Sequence, residues 1–243
     1  MKPDIKIFKD LDGLSHAAAK MFIESSSQAI AQRGRFLVAL SGGSTPNQLY
    51  QLLASAPYRD QIDWSKVHIF WGDERCVPMD DPGNSYYQAR LALLDLVNIP
   101  ADNVHRVQSD FEPASAALDY ARTLMVFSTP PLGWPRFDLV LLGMGDDGHT
   151  ASLFPGSPVD VSEPVIAITA QYQNRPAKRV TLTPLVFNSA HRILFLVTGA
   201  NKAVTLTQVF SDISNVDLLP AQRIQPTDGE LLWLMDEAAA GKL

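Results

Sequence analysis

The chain of 243 residues has one cysteine, Cys76, so it cannot close an internal disulfide. Such sparing use of cysteine suits a reducing compartment, and the cytoplasm is the expected location. No apolar run is long enough to span a bilayer. The opening residues, Met1-Lys-Pro-Asp-Ile-Lys-Ile-Phe8, carry no secretory apolar stretch or cleavage site, and no membrane partner is expected. Cations are in the minority, 20 Lys and Arg against 26 Asp and Glu, a net charge of −6. They are scattered, which argues against a nucleic-acid partner. A small anionic ligand would need a local cluster of cations working against the global sign. His-x-x-x-His and paired cysteines are missing, so no metal site is expected. There is no Gly-x-Ser-x-Gly elbow of an α/β-hydrolase, and Cys76 lacks the surroundings of a nucleophile.

What is present is an alternation of apolar strands and amphipathic helices. Ile5 to Phe8, Phe36 to Leu40, Val67 to Trp71, Phe137 to Leu142 and Ile193 to Val197 read as strands, with shorter ones at Val165–Ile168 and Arg179–Leu182. Helical stripes run through Leu14, Ala18, Phe22 and Ala29, through Leu49, Leu52 and Leu53, and through Tyr87, Leu91, Leu94 and Val97. Others run through Ala114, Ala117, Leu118, Ala121, Leu124 and Met125, and through Ala203, Leu206 and Val209. Thr129–Pro135 and Pro155–Pro176 read as loops. Continuously apolar strands alternating with helices predict an α/β fold, Rossmann-like, with a mainly parallel sheet covered by helices on both faces. The length suits a single domain over residues 1–243.

Four polar, glycine-bearing segments each follow the carboxyl end of an apolar strand: residues 41–45, 72–75, 143–149 and 198–202. Ligands of open α/β sheets bind outside the carboxyl ends of the strands, so these segments are expected to line one site. Ser41-Gly-Gly-Ser-Thr-Pro46 enters a helix, with Pro46 at its first position and Thr45 or Ser44 as cap. Free N–H groups there would bind an anion, with glycines permitting close approach; a plainly capped turn is the alternative. Arg75, in Asp73-Glu74-Arg75, is either one half of a surface ion pair or a bidentate anion ligand. Arg179 carries the same ambiguity. Lys202, at a helix start, opposes the helix dipole by a few tenths to ~1 kcal/mol, which a bound anion would remove.

The segment Leu142-Gly-Met-Gly-Asp-Asp-Gly-His149 spells G-x-G-x-x-G. A dinucleotide site wants a long helix behind that turn and an acid about 20 positions on. Here Asp146 and Asp147 would repel a pyrophosphate, Pro155 stops any helix, and the strand at 165–168 runs into Thr-Ala-Gln. The glycines instead make room around Asp147 and His149, a carboxylate able to orient an imidazole, the usual general base near neutral pH. The competing readings are a metal site on Asp146, Asp147 and His149, or a histidine capping a short helix. His16, His68, His105 and His191 read as structural.

Taken in order, Ala39-Leu-Ser-Gly-Gly-Ser-Thr-Pro46, Trp71-Gly-Asp-Glu-Arg-Cys-Val-Pro78, Leu142 to Gly156, Lys178-Arg-Val-Thr-Leu182 and Gly199-Ala-Asn-Lys202 resemble the 6-phosphogluconolactonase family over nearly the whole chain. Leu219-Pro-Ala-Gln222 and Trp233-Leu-Met-Asp236 add to the likeness, and Gly148-His-Thr-Ala-Ser-Leu-Phe-Pro155 is its most specific run. The resemblance implies a cytoplasmic enzyme of the pentose phosphate pathway that opens 6-phospho-D-glucono-1,5-lactone, with no metal and no organic cofactor. It implies His149 as general base and Asp147 as its supporting carboxylate. Ser41, Gly42, Gly43, Ser44, Thr45, Arg75, Arg179 and Lys202 would hold phosphate and sugar, with Asp73 positioning Arg75 or the substrate. The family often has Ser-Asn-Tyr where Asn84-Ser85-Tyr86 stands, the first two exchanged. No oligomeric state follows from the chain, and a monomer is compatible with it.

Two rivals remain. A glucosamine-6-phosphate isomerase/deaminase carries an acid five residues after its turn histidine, where this chain has Phe154, and Asp-Glu-Tyr in place of Asp-Glu-Arg75. A non-catalytic phosphosugar sensor would need a DNA-binding segment that the N-terminal residues do not offer.

Overall fold

A computed structural model describes residues 4–169 and 177–243. Residues 170–176, the end of the loop expected over 155–176, lie outside the described residues, as do Met1–Pro3. The chain runs β1 (Asp4–Phe8), α1 (Leu11–Arg33), β2 (Phe36–Leu40), α2 (Ser44–Leu53), β3 (Val67–Trp71), β4 (Asp73–Arg75), α3 (Ser85–Ala92) and α4 (Pro113–Val126). It continues through β5 (Leu139–Leu142), β6 (Val165–Thr169), β7 (Lys178–Leu182), α5 (Pro184–Phe187), β8 (Arg192–Val197), α6 (Ala203–Val209) and β9 (Glu230–Asp236).

The principal sheet has the order β1-β9-β8-β5-β2-β3, and every pairing in it is parallel. Successive side chains leave opposite faces of a strand, and both faces here meet apolar partners. Phe36, Val38 and Leu40 of β2 join Ile69 and Trp71 of β3 and Leu139 and Leu141 of β5 in a core under α1, α2 and α3. Leu37, Ala39, Phe70, Val140 and Leu142 point the other way, into a core with α4 and α6. Each such buried side chain is worth roughly 1.5–3 kcal/mol relative to exposure. Two-sided burial is why these strands read as unbroken apolar runs.

Local chemistry fixes the helix ends. The Asp10 carboxylate accepts from Gly13 N (3.0 Å) ahead of α1, and Gly34, at φ 76°, closes it with a 2.9 Å bond to Ile30 O. In α4 the expected stripe is turned. Ala116, Ala117, Tyr120 and Leu124 are buried, while Leu118 and Met125 are exposed. The third helix ends at Ala92; Leu94–Leu96 form a 3-10 turn and Val97 lies beyond it.

Residues 72–75 are not simply a loop. Gly72 turns the chain out of β3, and Asp73–Arg75 becomes an edge strand of a second, antiparallel sheet, β4-β7-β6. The strand β9 has no counterpart in the sequence reading. It sits between β1 and β8, where Trp233 stacks on Phe195 at 3.8 Å between ring centroids.

Candidate active site

The strand order decides where a site can form. From β2 the chain steps to β3 on one side, and from β5 to β8 and β9 on the other. The reversal falls between β2 and β5, and an open α/β sheet leaves its binding crevice at such a switch point. All four polar segments therefore emerge side by side, from the carboxyl ends of the adjacent strands β8, β5, β2 and β3.

The turn after β5 is locked by its own backbone. Gly145 N donates to His149 O (2.8 Å), Gly148 N to Gly145 O (3.2 Å), and the Thr150 hydroxyl to Gly143 O (2.9 Å). These bonds engage the Gly145 and Gly148 amides and remove them as donors to a ligand. At Gly145 a Cβ would overlap the His149 ring at Nδ1 and Cε1 and lie 2.5 Å from Asp147 Oδ1. Gly148, at φ 82°, lies so close to Leu219 that a Cβ would meet its Cδ2 at 2.8 Å. Of the three glycines only Gly145 thus makes room for the histidine and the carboxylate; Gly148 makes room for Leu219, and Gly143 faces open space. Thr150 and Leu153 form an isolated bridge after His149, so the histidine caps no helix.

His149 Nδ1 stands 2.6 Å from Asp147 Oδ1, and the same oxygen accepts from His149 N at 3.1 Å. An Nδ1–H donated to Asp147 places the basic lone pair on Nε2. Burial alone would push the Asp147 carboxyl up, but its bonds to His149 and the charge of that ring hold it below the ordinary carboxylate range. The turn is anchored from α6 by the Thr205 hydroxyl, which donates to Asp146 O at 2.5 Å. Phe154, 5% exposed, lies against both neighbours: its ring is 4.6 Å from the His149 ring and 5.2 Å from the Arg179 guanidinium carbon.

Arg179 and Arg75 are directly opposed across β4 and β7. Like charges in that relation repel. Arg75 is not in a surface ion pair: it is 9% exposed, its guanidinium donates to Gly83 O, and its Nε has no partner among the described residues. Its two acidic neighbours are occupied elsewhere. Asp73 accepts from the Ser152 hydroxyl at 2.5 Å, which ties β4 to the histidine turn. Glu74 is buried and accepts three backbone N–H groups, from Arg75 (2.8 Å), Ser85 (2.7 Å) and Tyr86 (2.8 Å). Its burial pushes the carboxyl up to about 7 against the pull of those donors.

The loop after β2 differs from its expected capping. Helix α2 begins at Ser44 and not at Pro46; Gly43, at φ 114°, is the cap position, and as a glycine it has no side chain to accept from the first amides. The Thr45 hydroxyl instead meets that of Thr198 at 3.0 Å, joining this loop to the one after β8. Ser41 is held through its backbone by the Tyr50 hydroxyl, and its own hydroxyl is buried with no partner among the described residues. Gly42 packs on Ser85, whose Cβ would be 3.0 Å from a Cβ at that glycine. Lys202 ends a 3-10 turn, Ala200–Lys202, and is the cap residue of α6, while the Asp236 carboxylate accepts from Gly199 N at 3.0 and 3.1 Å.

Thr45 and Thr198 thus join the loops after β2 and β8, Ser152 joins Asp73 to the histidine turn, and Phe154 lies against both His149 and Arg179. Sequence reasoning missed Phe154 as a ring between His149 and Arg179, Ser152 as the partner of Asp73, and Glu74 and Asp236 as anchors. Cys76 is half-buried, which raises its thiol to about 11 and keeps it protonated. Among the described residues no group of three His, Cys, Asp or Glu is placed to hold a metal. His16 bonds the Tyr58 hydroxyl at 2.7 Å, and His68 stacks on His105, both away from this neighbourhood.

Such an arrangement, a histidine–carboxylate pair and cations gathered at the carboxyl edge of an open parallel sheet, is that of an α/β enzyme. Residues 9–233 match the family described as glucosamine-6-phosphate isomerases/6-phosphogluconolactonase, and the chain belongs to that family. It is 42% identical to a 6-phosphogluconolactonase of Nostoc sp., over 100% of this chain and 99% of that one. It is 40% identical to a 6-phosphogluconolactonase of Synechocystis sp. with the same coverage. The structure of 6-phosphogluconolactonase from Trypanosoma brucei superposes with a TM-score of 0.87 at 29% identity, covering 100% of this chain and 99% of the other.

Proposed function

We propose that the protein is a 6-phosphogluconolactonase, hydrolysing 6-phospho-D-glucono-1,5-lactone to 6-phospho-D-gluconate in the oxidative pentose phosphate pathway, with His149 activating water and no metal taking part. The observation that carries the chemistry is the 2.6 Å contact between His149 Nδ1 and Asp147 Oδ1 in a turn whose glycine admits both side chains. His149 Nε2 takes a proton from water as the water oxygen attacks the lactone carbonyl. The tetrahedral oxyanion collapses, the bond from C1 to the ring oxygen breaks, and that oxygen takes the proton back from His149. Asp147 holds the imidazole in the required tautomer and offsets the charge of the imidazolium.

The phosphate is the anchor. The start of α2, with Ser41, Gly42, Gly43, Ser44 and Thr45, receives it together with Arg75, Arg179 and Lys202. An anion between the opposed arginines also relieves their repulsion. Asp73, fixed by Ser152, positions Arg75 or the substrate. Phe154 stands where a deaminase would need an acid, and its contact with the His149 ring leaves no carboxylate there for ring opening. That observation favours the lactonase over the isomerase branch of the family.

The test follows the disappearance of 6-phosphogluconolactone generated in situ, against the spontaneous reaction, with chelator present throughout. Chelator-resistant acceleration is expected, and His149→Ala should lower kcat by about a hundredfold or more. Well-folded protein that gives no acceleration overturns the proposal, with glucosamine 6-phosphate the next substrate to try.

A further inference from the structure

Glu74 is not used by the chemistry, yet it is the most deeply buried carboxylate beside the site, at 1% exposure. A buried carboxylate is destabilising unless donors surround it. Here one oxygen takes Arg75 N and Ser85 N, and the other takes Tyr86 N. Ser85 and Tyr86 are the first two residues of α3, and the third N–H of that helix, from Tyr87, goes to Asn84 Oδ1 at 2.9 Å. The amino end of α3 is thus closed by Glu74 and Asn84, and the helix dipole favours the negative charge there. From that end, α3 touches the loop after β2 twice: Ser85 lies against Gly42, and Gln88 Oε1 accepts from Gly43 N at 3.2 Å. On its other side Glu74 is bonded to the amide of Arg75, whose guanidinium reaches Gly83 O in the turn just ahead of α3.

We infer that Glu74 is a positioning residue for phosphate binding: its carboxylate clamps β4 to the amino end of α3 and so sets the relative placement of Arg75 and the Ser41–Thr45 loop. This rests on the phosphosugar reading of that loop. The clamp also accounts for Asn84-Ser85, since Asn84 caps the helix and Ser85 fits over Gly42.

The test compares wild type with Glu74→Gln, a substitution of the same shape that turns one acceptor into a donor facing an N–H. At pH 8, where the Glu74 carboxyl is mostly ionised, KM for the phosphorylated lactone and Kd for inorganic phosphate, measured by calorimetry, should both rise about tenfold or more, the usual weight of one charge-assisted contact to phosphate lost by misplacing Arg75 or the loop, while kcat stays within about threefold. Unchanged KM and Kd, or a fall in kcat without a rise in phosphate Kd, would overturn the inference. If Glu74→Gln does not fold, Gln88→Met removes the second tie to the loop and must show the same selective loss of phosphate affinity. Wild type that binds phosphate but opens no lactone would count against the proposed function and leave the clamp to be judged by phosphate Kd alone.

Discussion

Replacing Gly145 with alanine adds one methyl group at the tightest point of the turn that holds Asp147 and His149. Its Cβ would overlap the His149 ring and lie 2.5 Å from Asp147 Oδ1, where ordinary contact begins at 3.4 Å. Either the two side chains or the turn must therefore move by about 1 Å. The turn resists, because Gly145 N is bonded to His149 O and Gly145 O accepts from Gly148 N. A displacement of that size in a reacting group is worth about a hundredfold in rate. The expected result for Gly145→Ala is a kcat lowered about a hundredfold, with KM changed far less, because the proposed phosphate contacts lie on other loops. Gly143→Ala is the control. It lies in the same turn, but its Cβ meets nothing within 4 Å, and near-normal kcat is expected. Thermal melts of both variants separate loss of fold from loss of geometry. A Gly145→Ala enzyme with kcat within a few-fold of wild type would refute the idea that this glycine exists to admit the dyad.

Asp147→Asn should retain the fold yet lower kcat by about tenfold or more, since an amide cannot offset an imidazolium; steady-state kinetics at pH 7 decide it, and unaltered kcat rules out the supporting role. Arg179→Ala and Arg75→Ala should each raise KM by about tenfold or more while changing kcat less; an unaltered KM removes that arginine from the phosphate site. His105 is pushed down to about 4 by burial and by the neighbouring His68. Between pH 6.5 and 4 the unfolded chain therefore binds protons that the folded chain does not, and stability from this residue is lost as pH falls. Glu74 acts oppositely, its raised carboxyl favouring the folded state as pH falls from 7 toward 4.5. The Tm deficit of His105→Gln relative to wild type should accordingly shrink from pH 7 to pH 5; a constant deficit refutes the assignment.

The principal strands were legible because burial on both faces leaves no polar alternation to confuse them, and once they were parallel their carboxyl-end segments had to converge. The His149 turn was legible from chemistry, since two aspartates and an early proline contradict a dinucleotide site. What escaped has definite causes. Leu231–Met235 is a short apolar run of a kind that strands and buried helix segments share. Asp73–Arg75 is three residues long, and its partner β7 is more than a hundred positions away, so nothing local marks it as a strand. In α4, alanines and Tyr120 fill the narrow space against β6 and β7, which turns the bulkier Leu118 and Met125 outward. Glu74 looked like half of an ion pair because its true partners, the amides of Ser85 and Tyr86, are backbone groups invisible to a reading of side chains.

The proposed phosphate site at the glycine-capped start of α2 would couple ligand to fold. Its cap residue, Gly43, has no side chain to accept from the first amides, so an anion bound in the proposed phosphate site would take the structural role that a serine or aspartate takes at other helices. Affinity and thermodynamic stability then share one term. Phosphosugar at a hundred times its Kd would add about 2.7 kcal/mol to the folded state. Across a fluctuating metabolite supply, the fraction of chain open to proteolysis would fall as phosphosugar accumulates and rise as it is depleted.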